Sequence, residues 1–251
     1  MKHKPFQFTV SPDFAPTSLA GWHIFNTWLQ RSLDTRIHLD IYQDFASQRQ
    51  AIRNDAIDLI FANPYDASML VREKGFHCLA RPGGCSDEVV IAVRGDHPAS
   101  TVEELEAGMR LASTDDPDVH MMGMIMLEPA NINADNIERR TCSSYVLVAK
   151  ELLSVQSEVG LFLAEAFYGL SKITRRQLRP LVQSQIQVVH HALMIGPRMQ
   201  HLTETLLQRL QEMPQTSRGQ GVLDSLGYKS WEAVEEEDVE FMIDLMDTLV
   251  G

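Results

Sequence analysis

The sequence has no long hydrophobic run, few cysteines and fewer basic than acidic residues. No stretch of its 251 residues approaches the roughly 18 consecutive apolar residues of a membrane-spanning helix, so the sequence predicts no direct membrane insertion. Its 3 cysteines are too few, and odd in number, for a disulfide framework. Lysine and arginine number 22 against 34 aspartates and glutamates, which gives a formal net charge of -12. A surface this acidic repels nucleic acids and anionic membranes, so neither is a predicted partner.

The N-terminus and the rest of the chain also lack several common motifs. The opening stretch, MKHKPFQFTV, has basic residues but neither an apolar segment nor a small-residue cleavage site, so it does not read as a signal peptide. This predicts a cytoplasmic protein as the sequence stands, or a periplasmic one if a leader peptide has been removed. No metal-binding, nucleotide-binding or nucleophile–base motif is recognisable. We therefore predict no catalytic residues, no metal ligands and no cofactors.

The stretch AIRNDAIDLIFANPY, residues 51–65, indicates the fold. It combines the end of an amphipathic helix, an Asn-Asp turn and the apolar strand Ile57–Phe61, which suits a sheet covered on both faces. Pro64 then ends the strand, because proline cannot donate a ladder hydrogen bond. Since strands and helices alternate from Phe6 onwards, the sequence predicts an α/β fold whose sheets are mostly parallel and flanked by helices.

Two further apolar segments, Val89–Arg94 and Ile186–Ile195, indicate that the chain passes twice between two lobes. Long extended segments of this kind are what a pair of crossover strands requires. We predict that residues 1–95 and 196–251 form lobe 1, and that residues 96–195 form lobe 2. Lobe 1 is therefore discontinuous in sequence.

The order of features in residues 51–65 resembles a known family. A helix, a small polar turn, an Ile-Asp-Leu strand and an Asn-Pro-Tyr loop follow one another, as in the solute-binding proteins of phosphate/phosphonate-type ABC transporters. The similarity runs loosely from Phe6 to about Leu249. The resemblance implies a type II periplasmic-binding-protein-like fold, in which two lobes joined by two crossover strands close around a small molecule. It further implies a role in uptake or sensing, with a membrane permease or a sensor kinase as partner.

The loops at the carboxyl ends of the strands supply the candidate ligand-binding residues, since the backbone turns away there and leaves a crevice. Tyr65 ranks first, because it combines a strand-end position with the family motif. Hydroxyl, amide and aromatic groups of this kind can hydrogen-bond and stack on a small polar solute in an interlobe cleft. The candidates in lobe 1 are Ser11, Asp13, Tyr42, Asn63 and Tyr65, and those in lobe 2 are Ser113, Thr114, Asp115, Ser143, Ser144, Tyr145, Glu165 and Tyr168.

The first of the lobe 2 loops departs from the family pattern. In the phosphonate-type proteins this loop carries small hydroxyl residues at a helix start, where N–H groups and the helix dipole hold a tetrahedral anion. Here the loop reads Ser-Thr-Asp-Asp-Pro-Asp, residues 113–118, and its carboxylates repel an oxyanion. We therefore predict that the solute is not a simple phosphonate. The alternative interpretation is ordinary capping, with Asp115 or Asp116 as the cap and Pro117 in the first helical position.

Three other groups of residues leave alternatives open. His120 and the methionines that follow it suit a soft metal, but their helical spacing is more typical of core residues. Cys142 stands at a predicted helix start, where a thiol pKa can be lowered. His190 and His191 are neighbours on a strand and must point to opposite faces, so at most one of them faces a ligand.

Function has one leading hypothesis and two alternatives. The leading hypothesis is a small-molecule binding protein used in uptake or sensing. The first alternative is a cytosolic biosynthetic enzyme on the same bilobal fold, of the menaquinone- or pyrimidine-pathway kind, and the second is a protein-interaction role. The sequence leaves open whether the chain is an enzyme, because the fold alone does not decide this.

Overall fold

The computed structural model describes residues 4–14 and 16–250. Residues 1–3, 15 and 251, which include the outermost residues of predicted lobe 1, lie outside the described residues. Within the described chain, the strands are β1 (Phe6–Val10), β2 (Ile37–Asp40), β3 (Leu59–Ala62), β4 (His77–Pro82), β5 (Val89–Arg94), β6 (Arg110–Ser113), β7 (Glu138–Thr141), β8 (Val159–Leu163), β9 (Leu178–Gln183), β10 (Ala192–Ile195) and β11 (Trp231–Ala233). The α-helices over the same residues are α1 (Leu19–Ser32), α2 (Phe45–Arg53), α3 (Pro64–Arg72), α4 (Pro117–Leu127), α5 (Tyr145–Leu153), α6 (Ala164–Gly169), α7 (Lys172–Arg175), α8 (Thr203–Gln211), α9 (Ser217–Leu226) and α10 (Glu236–Val250).

The first of two compact units comprises the described residues up to Cys85 together with His190–Thr248. Its six-stranded sheet has the strand order β11-β4-β10-β3-β1-β2, and β1 pairs in parallel with both β2 and β3. β3 is buried at every position, which is why its sequence is a continuous apolar run. Phe8 and Phe61 of this sheet pack against Trp22 and Phe25 of α1 and form an aromatic core.

The second compact unit comprises Ser86–Val189. Its five-stranded sheet has the strand order β7-β6-β8-β5-β9, and β6 pairs in parallel with both β7 and β8. Phe162 and Phe167 are fully buried in its core and meet edge to face, with ring centroids 5.3 Å apart. Among the described residues of the whole chain, no helix combines the length and apolar character needed to cross a membrane.

Both sheets are mixed, whereas the sequence predicts mostly parallel ones. β10 runs antiparallel to β3 and β4 in the first unit, and β5 runs antiparallel to β8 and β9 in the second. Each of these two strands is the first that the chain forms after it passes from one unit to the other. Parallel pairing of consecutive strands requires a crossover connection, usually a helix, between them. No such connection links β5 or β10 directly to the strands beside it, so these two strands are free to pair antiparallel. The predicted α/β class is confirmed.

The chain passes between the units at Cys85–Ser86 and at Val189–His190. The predicted lobe boundaries at residues 95 and 195 lie further along the chain, because the sequence pattern suggests that the apolar strands β5 and β10 are themselves the crossovers. β5 instead pairs along its length within the second unit, and β10 pairs within the first.

Glu88 holds together the two segments by which the chain enters and leaves the second unit. It immediately precedes β5, and its carboxylate accepts hydrogen bonds from the Ser184 hydroxyl, the Ile186 N–H at 3.1 Å and the Gln187 N–H at 2.8 Å. The Ser86 hydroxyl adds a bond at 3.2 Å. Gln187 adopts a left-handed backbone with φ of 61°, which turns its N–H towards this shared acceptor. A buried charge is retained here because its acceptor capacity is filled.

We expect Glu88→Ala to lower the free energy of unfolding by about 2–4 kcal/mol, because the buried Ser184 hydroxyl and the partly buried N–H groups of Ile186 and Gln187 lose their acceptor. Urea-induced unfolding followed by circular dichroism measures this change. Glu106→Ala, which removes an exposed carboxylate from the same unit, is the matched control and should leave stability almost unchanged. Equal midpoints for the two variants would show that the Glu88 carboxylate does not stabilise the fold.

Candidate functional site

The carboxyl ends of β1 and β3 in the first unit bring several predicted residues to one edge of the sheet. Ser11 follows β1, and its N–H donates to the Phe61 carbonyl on β3 at 2.8 Å. The Asn63 amide, just after β3, donates to the Ser11 hydroxyl at 3.3 Å. The Asn63 side chain also caps α3 by accepting from the Asp66 N–H at 2.8 Å, with Pro64 in the first turn. Ser11, Asn63 and Asp66 are all buried.

Asp13 forms a buried pair with His191, which precedes β10. His191 Nε2 lies 2.9 Å from Asp13 Oδ2, the Asp13 side chain is only 3% exposed, and the imidazole stacks on the Phe61 ring at 5.4 Å. Burial raises the pKa of Asp13, but the charge of His191 and the hydrogen bonds from His191 and Ser11 outweigh burial. The net result is a pKa below the ordinary value, because the surroundings favour the ionised carboxylate.

A second buried pair joins Asp66 of α3 to Arg49 of α2. Arg49 Nε donates to Asp66 Oδ1 at 2.5 Å, and the guanidinium carbon lies 4.6 Å from the Tyr65 ring and 5.2 Å from the Phe45 ring. The two rings therefore fix the direction of the guanidinium by cation–π contact. Burial raises the pKa of Asp66, and the charge of Asp13 adds to this, although Arg49 opposes both. Tyr65 thus contacts the arginine that orients Asp66.

Two buried polar atoms of the Arg49–Asp66 pair, Asp66 Oδ2 and Arg49 Nη2, have no hydrogen-bond partner among the described residues. We call Asp13, Arg49, Asp66 and His191 the acid–base cluster of the first unit. Buried polar atoms in native proteins are almost always paired, so these two atoms are available to each other or to a ligand group.

In the second unit, Asp116 fills the start of α4. Its Oδ1 accepts from the Asp118 N–H at 3.1 Å and the Val119 N–H at 3.3 Å, and Pro117 occupies the first helical position. The Tyr145 hydroxyl of α5 donates to Asp116 Oδ2 at 2.7 Å. Asp116 is buried, with 2% of its surface exposed. The capping interpretation of this loop therefore holds, with Asp116 as the cap and not Asp115.

Arg139 of β7 donates hydrogen bonds to Ser113 and Thr114, which form the loop that precedes Asp116. Arg139 Nε donates to the Ser113 hydroxyl at 3.1 Å, and Nη2 donates to the Thr114 carbonyl at 2.8 Å. The Ser113 hydroxyl donates in turn to the Thr114 carbonyl at 3.0 Å. Burial, followed by the charge of Arg139, lowers the pKa of His120 to about 4, so this imidazole is neutral at neutral pH.

The remaining residues predicted for the site lie in more ordinary surroundings. Tyr42 packs partly against the core around Ile52, and burial, followed by the charge of Asp40, raises its pKa. The Ser144 hydroxyl caps α5 by accepting from the Leu147 N–H at 3.4 Å. The exposed residues among the predictions are Asp115, Ser143, Glu165 and Tyr168. The Tyr168 hydroxyl donates to the Gln183 side chain at 2.8 Å.

Five residues of these networks are absent from the sequence-based list of ligand-binding residues, and one of them, Asp116, was predicted only as a possible helix cap. Asp66 stands next to Tyr65 in the same loop and shares its strand-end position, so the same rule points to it. His191 lies at the amino end of an antiparallel strand, which a rule about carboxyl ends does not reach. Arg49 and Arg139 are single basic residues on a helix and a strand, and sequence spacing gives no sign of their acidic or hydroxyl partners.

Cys142 immediately precedes the two serines at the start of α5, and the sequence left two interpretations of it open, a thiol with a lowered pKa and an inert thiol. Burial, followed by the charge of Glu151, raises its pKa, which keeps the thiol protonated.

Known structures share this fold over nearly the whole chain. PhnD1 from Prochlorococcus marinus, in complex with methylphosphonate, has a TM-score of 0.85 at 12% identity, with 98% of each chain covered. XAC2383 from Xanthomonas citri, bound to ATP, has a TM-score of 0.79 at 14% identity over 99% of this chain and 98% of that one. The periplasmic aliphatic sulphonate binding protein SsuA from Escherichia coli has a TM-score of 0.71 at 12% identity, with 99% and 92% covered. At such low identities the similarity establishes the fold alone, which is the predicted type II periplasmic-binding fold.

Comparison at the sequence level identifies the family. A search of curated protein sequences finds no significant match. A family model described as the periplasmic substrate-binding protein of phosphonate ABC transporters matches residues 8–239. The match includes the strand-end loops of both units, and it agrees with the resemblance seen around residues 51–65. The chain therefore belongs to the family of phosphonate-type periplasmic substrate-binding proteins of ABC transporters.

Proposed function

We propose that this member of the family binds a small polar solute that is not a tetrahedral oxyanion, for uptake through a membrane permease or for sensing. Proteins of the family are the substrate-binding components of ABC transporters, and their ligands are small molecules. The observation that carries the proposal is the position of Asp116, whose carboxylate occupies the helix start that in phosphonate binders receives the anion.

The partial positive charge at the start of α4 is already neutralised by the Asp116 carboxylate. A helix start binds an anion because its first N–H groups lack partners and carry partial positive charge. Here the Asp118 and Val119 N–H groups donate to Asp116, and Pro117 has no N–H to offer. The Tyr145 hydroxyl, a further donor, is directed to the same carboxylate. A phosphonate approaching to about 4 Å would meet repulsion on the order of 4 kcal/mol at an effective dielectric of 20.

The Ser113 hydroxyl of the preceding loop is engaged as well. The Ser113 hydroxyl donates to the Thr114 carbonyl and accepts from Arg139, so it is not free to donate to an oxyanion. Arg139 itself brings a positive charge, but its guanidinium is fixed on neutral acceptors of the loop. The loop is therefore organised around internal contacts.

The fold alone leaves the ligand open. The similar structures include proteins bound to methylphosphonate and to ATP, so one architecture accepts very different solutes. The family match gives no support to the enzyme alternative. The family is periplasmic by its description, and the compartment of this chain stays a prediction, as does the choice between a permease and a sensor kinase as partner.

Inorganic phosphate and methylphosphonate should bind the wild-type protein only in the millimolar range or not at all, because the Asp116 carboxylate competes for the same donors. Isothermal titration calorimetry of the purified chain with each compound measures this. Micromolar affinity for either compound would contradict the proposal.

Replacing Asp116 by serine should create affinity for inorganic phosphate. Serine keeps a capping oxygen but removes the charge, so the helix start regains its preference for an external anion. Titration with phosphate, and the rise in Tm that it causes, measure the gain, which we expect to be about tenfold or more. Glu106→Ser removes an exposed carboxylate elsewhere in the same unit and is the control. A folded Asp116→Ser variant with no gain over that control would show that Asp116 does not exclude anions.

A further inference from the structure

The first unit has a cavity that none of the predicted solute-binding residues lines. Its volume is about 290 Å³, and it lies where α1 and α8 end and α9 begins. The polar and aromatic residues of its lining are Trp28, Arg31, Ser32, Arg209, Glu212 and Thr216. We propose that this cavity binds a small aromatic carboxylate. Such a molecule would be a second ligand, additional to the solute of the proposed function.

The carboxylate of Glu212 is already paired within the chain. Glu212 Oε1 accepts a hydrogen bond from the Gln208 amide at 2.8 Å, and Glu212 Oε2 accepts one from Arg209 Nη1 at 3.1 Å. Each oxygen of this acid therefore has a donor from the chain itself. Arg209 and Glu212 also neutralise each other, so together they add no net charge to the cavity.

The other polar groups of the lining are mostly donors. Among the described residues, the Arg31 guanidinium, the Ser32 hydroxyl and the Trp28 indole N–H have no hydrogen-bond partner, and Arg31 has no ion pair. A guanidinium alone carries five N–H donors and no acceptor. A ligand that complements this lining must bring acceptors, and an anionic acceptor forms the stronger hydrogen bonds with an arginine.

The charge of the cavity is opposite in sign to that of the whole chain. Two arginines and one glutamate line it, which gives a net charge of +1, whereas the chain carries -12. Most of the surface therefore repels dissolved anions, and the cavity attracts them locally. One unpaired guanidinium matches a singly charged, planar carboxylate through two parallel hydrogen bonds. A phosphate carries a charge of about -1.5 to -2 and would leave part of it unneutralised.

The apolar part of the lining favours an aromatic ligand. The buried Met213 completes the lining, and the half-buried Trp28 packs against the hydrophobic core. The Trp28 ring stacks on Phe25 with centroids 5.8 Å apart and planes 19° apart, which fixes the orientation of the indole. Aromatic rings contact both indoles and thioethers favourably. A volume of about 290 Å³ is small for a ligand pocket, so it suits one ring system with one acid group.

Matched compounds separate the charge of the ligand from its ring. Benzoate and indole-3-acetate have both features, benzyl alcohol and indole-3-ethanol have the ring without the charge, and acetate has the charge without the ring. Calorimetry on the purified full chain measures each affinity at equal ionic strength. Benzoate should also change the tryptophan fluorescence, because Trp28 lines the cavity while Trp22 and Trp231 are buried in the core. We expect the two aromatic acids to bind about tenfold or more tightly than the alcohols and acetate.

Two arginine variants locate the bound acid. Arg31→Gln removes the unpaired guanidinium from an exposed position, and Arg209→Gln leaves the Glu212 carboxylate without its arginine. Each change should lower the affinity for benzoate about tenfold or more, because the cavity loses its net positive charge. Arg53→Gln removes an exposed arginine from α2 of the same unit, outside the cavity, and should leave the affinity unchanged.

Four results would overturn the assignment. Failure of both aromatic acids to bind the wild-type chain would show that the cavity has no such ligand. Unchanged benzoate binding by Arg31→Gln would place the acid elsewhere on the chain. Equal affinity for the alcohols would exclude the anionic class, and equal affinity for acetate would exclude the aromatic class. Phosphate and methylphosphonate are not among these probes, so the proposed solute-binding function succeeds or fails separately.

Discussion

A buried carboxylate must be matched by donors or by a positive charge, and this constraint organises the strand-end loops of both units. Asp116 is matched by the helix start and by Tyr145, Asp13 by His191, and Asp66 by Arg49. Glu88 follows the same rule: it lies where the chain enters the second unit, and it accepts hydrogen bonds from the segment around Ile186 and Gln187 by which the chain leaves that unit. Acidic residues in a protein of net charge -12 are therefore of two kinds, those that give the surface its charge and those that fix its loops.

The direction of β10 in the first sheet and of β5 in the second determines which residues meet at these loops. Because β10 runs against β3, its first residue pairs with the last residue of β3, and His191 arrives beside the loop that follows β1. β5 pairs with β8 in the same way, and the residue before it is Glu88. The residue just before the antiparallel strand is titratable in both units: it is His191 before β10 and Glu88 before β5. Each contacts loops at the carboxyl ends of the parallel strands. The mixed pairing is thus a condition for the Asp13–His191 pair and for the Glu88 network.

The parts of the structure that depend on local pattern could be predicted from the sequence, and those that depend on pairing at a distance could not. Hydrophobic periodicity predicts the helix Phe45–Arg53 and the strand Val159–Leu163. Turn chemistry predicts that a strand ends and a helix begins at Asn63 and Pro64. The resemblance to the family also came from such a local run. The partners Arg49, Arg139 and His191 become neighbours of the site only after the sheets form. Strand direction was misjudged for the same reason, since β5 and β10 look alike in sequence whether they pair in parallel or not.

The tethering of Asp116 to its own helix has a consequence for selectivity in a mixed environment. A carboxylate on the same backbone competes with dissolved anions as an intramolecular group, and its effective concentration is set by geometry and does not fall on dilution. For short connections this effective concentration is of millimolar order or higher. Dissolved phosphate and sulfate at concentrations well below this value would then have little influence on occupancy of the loop.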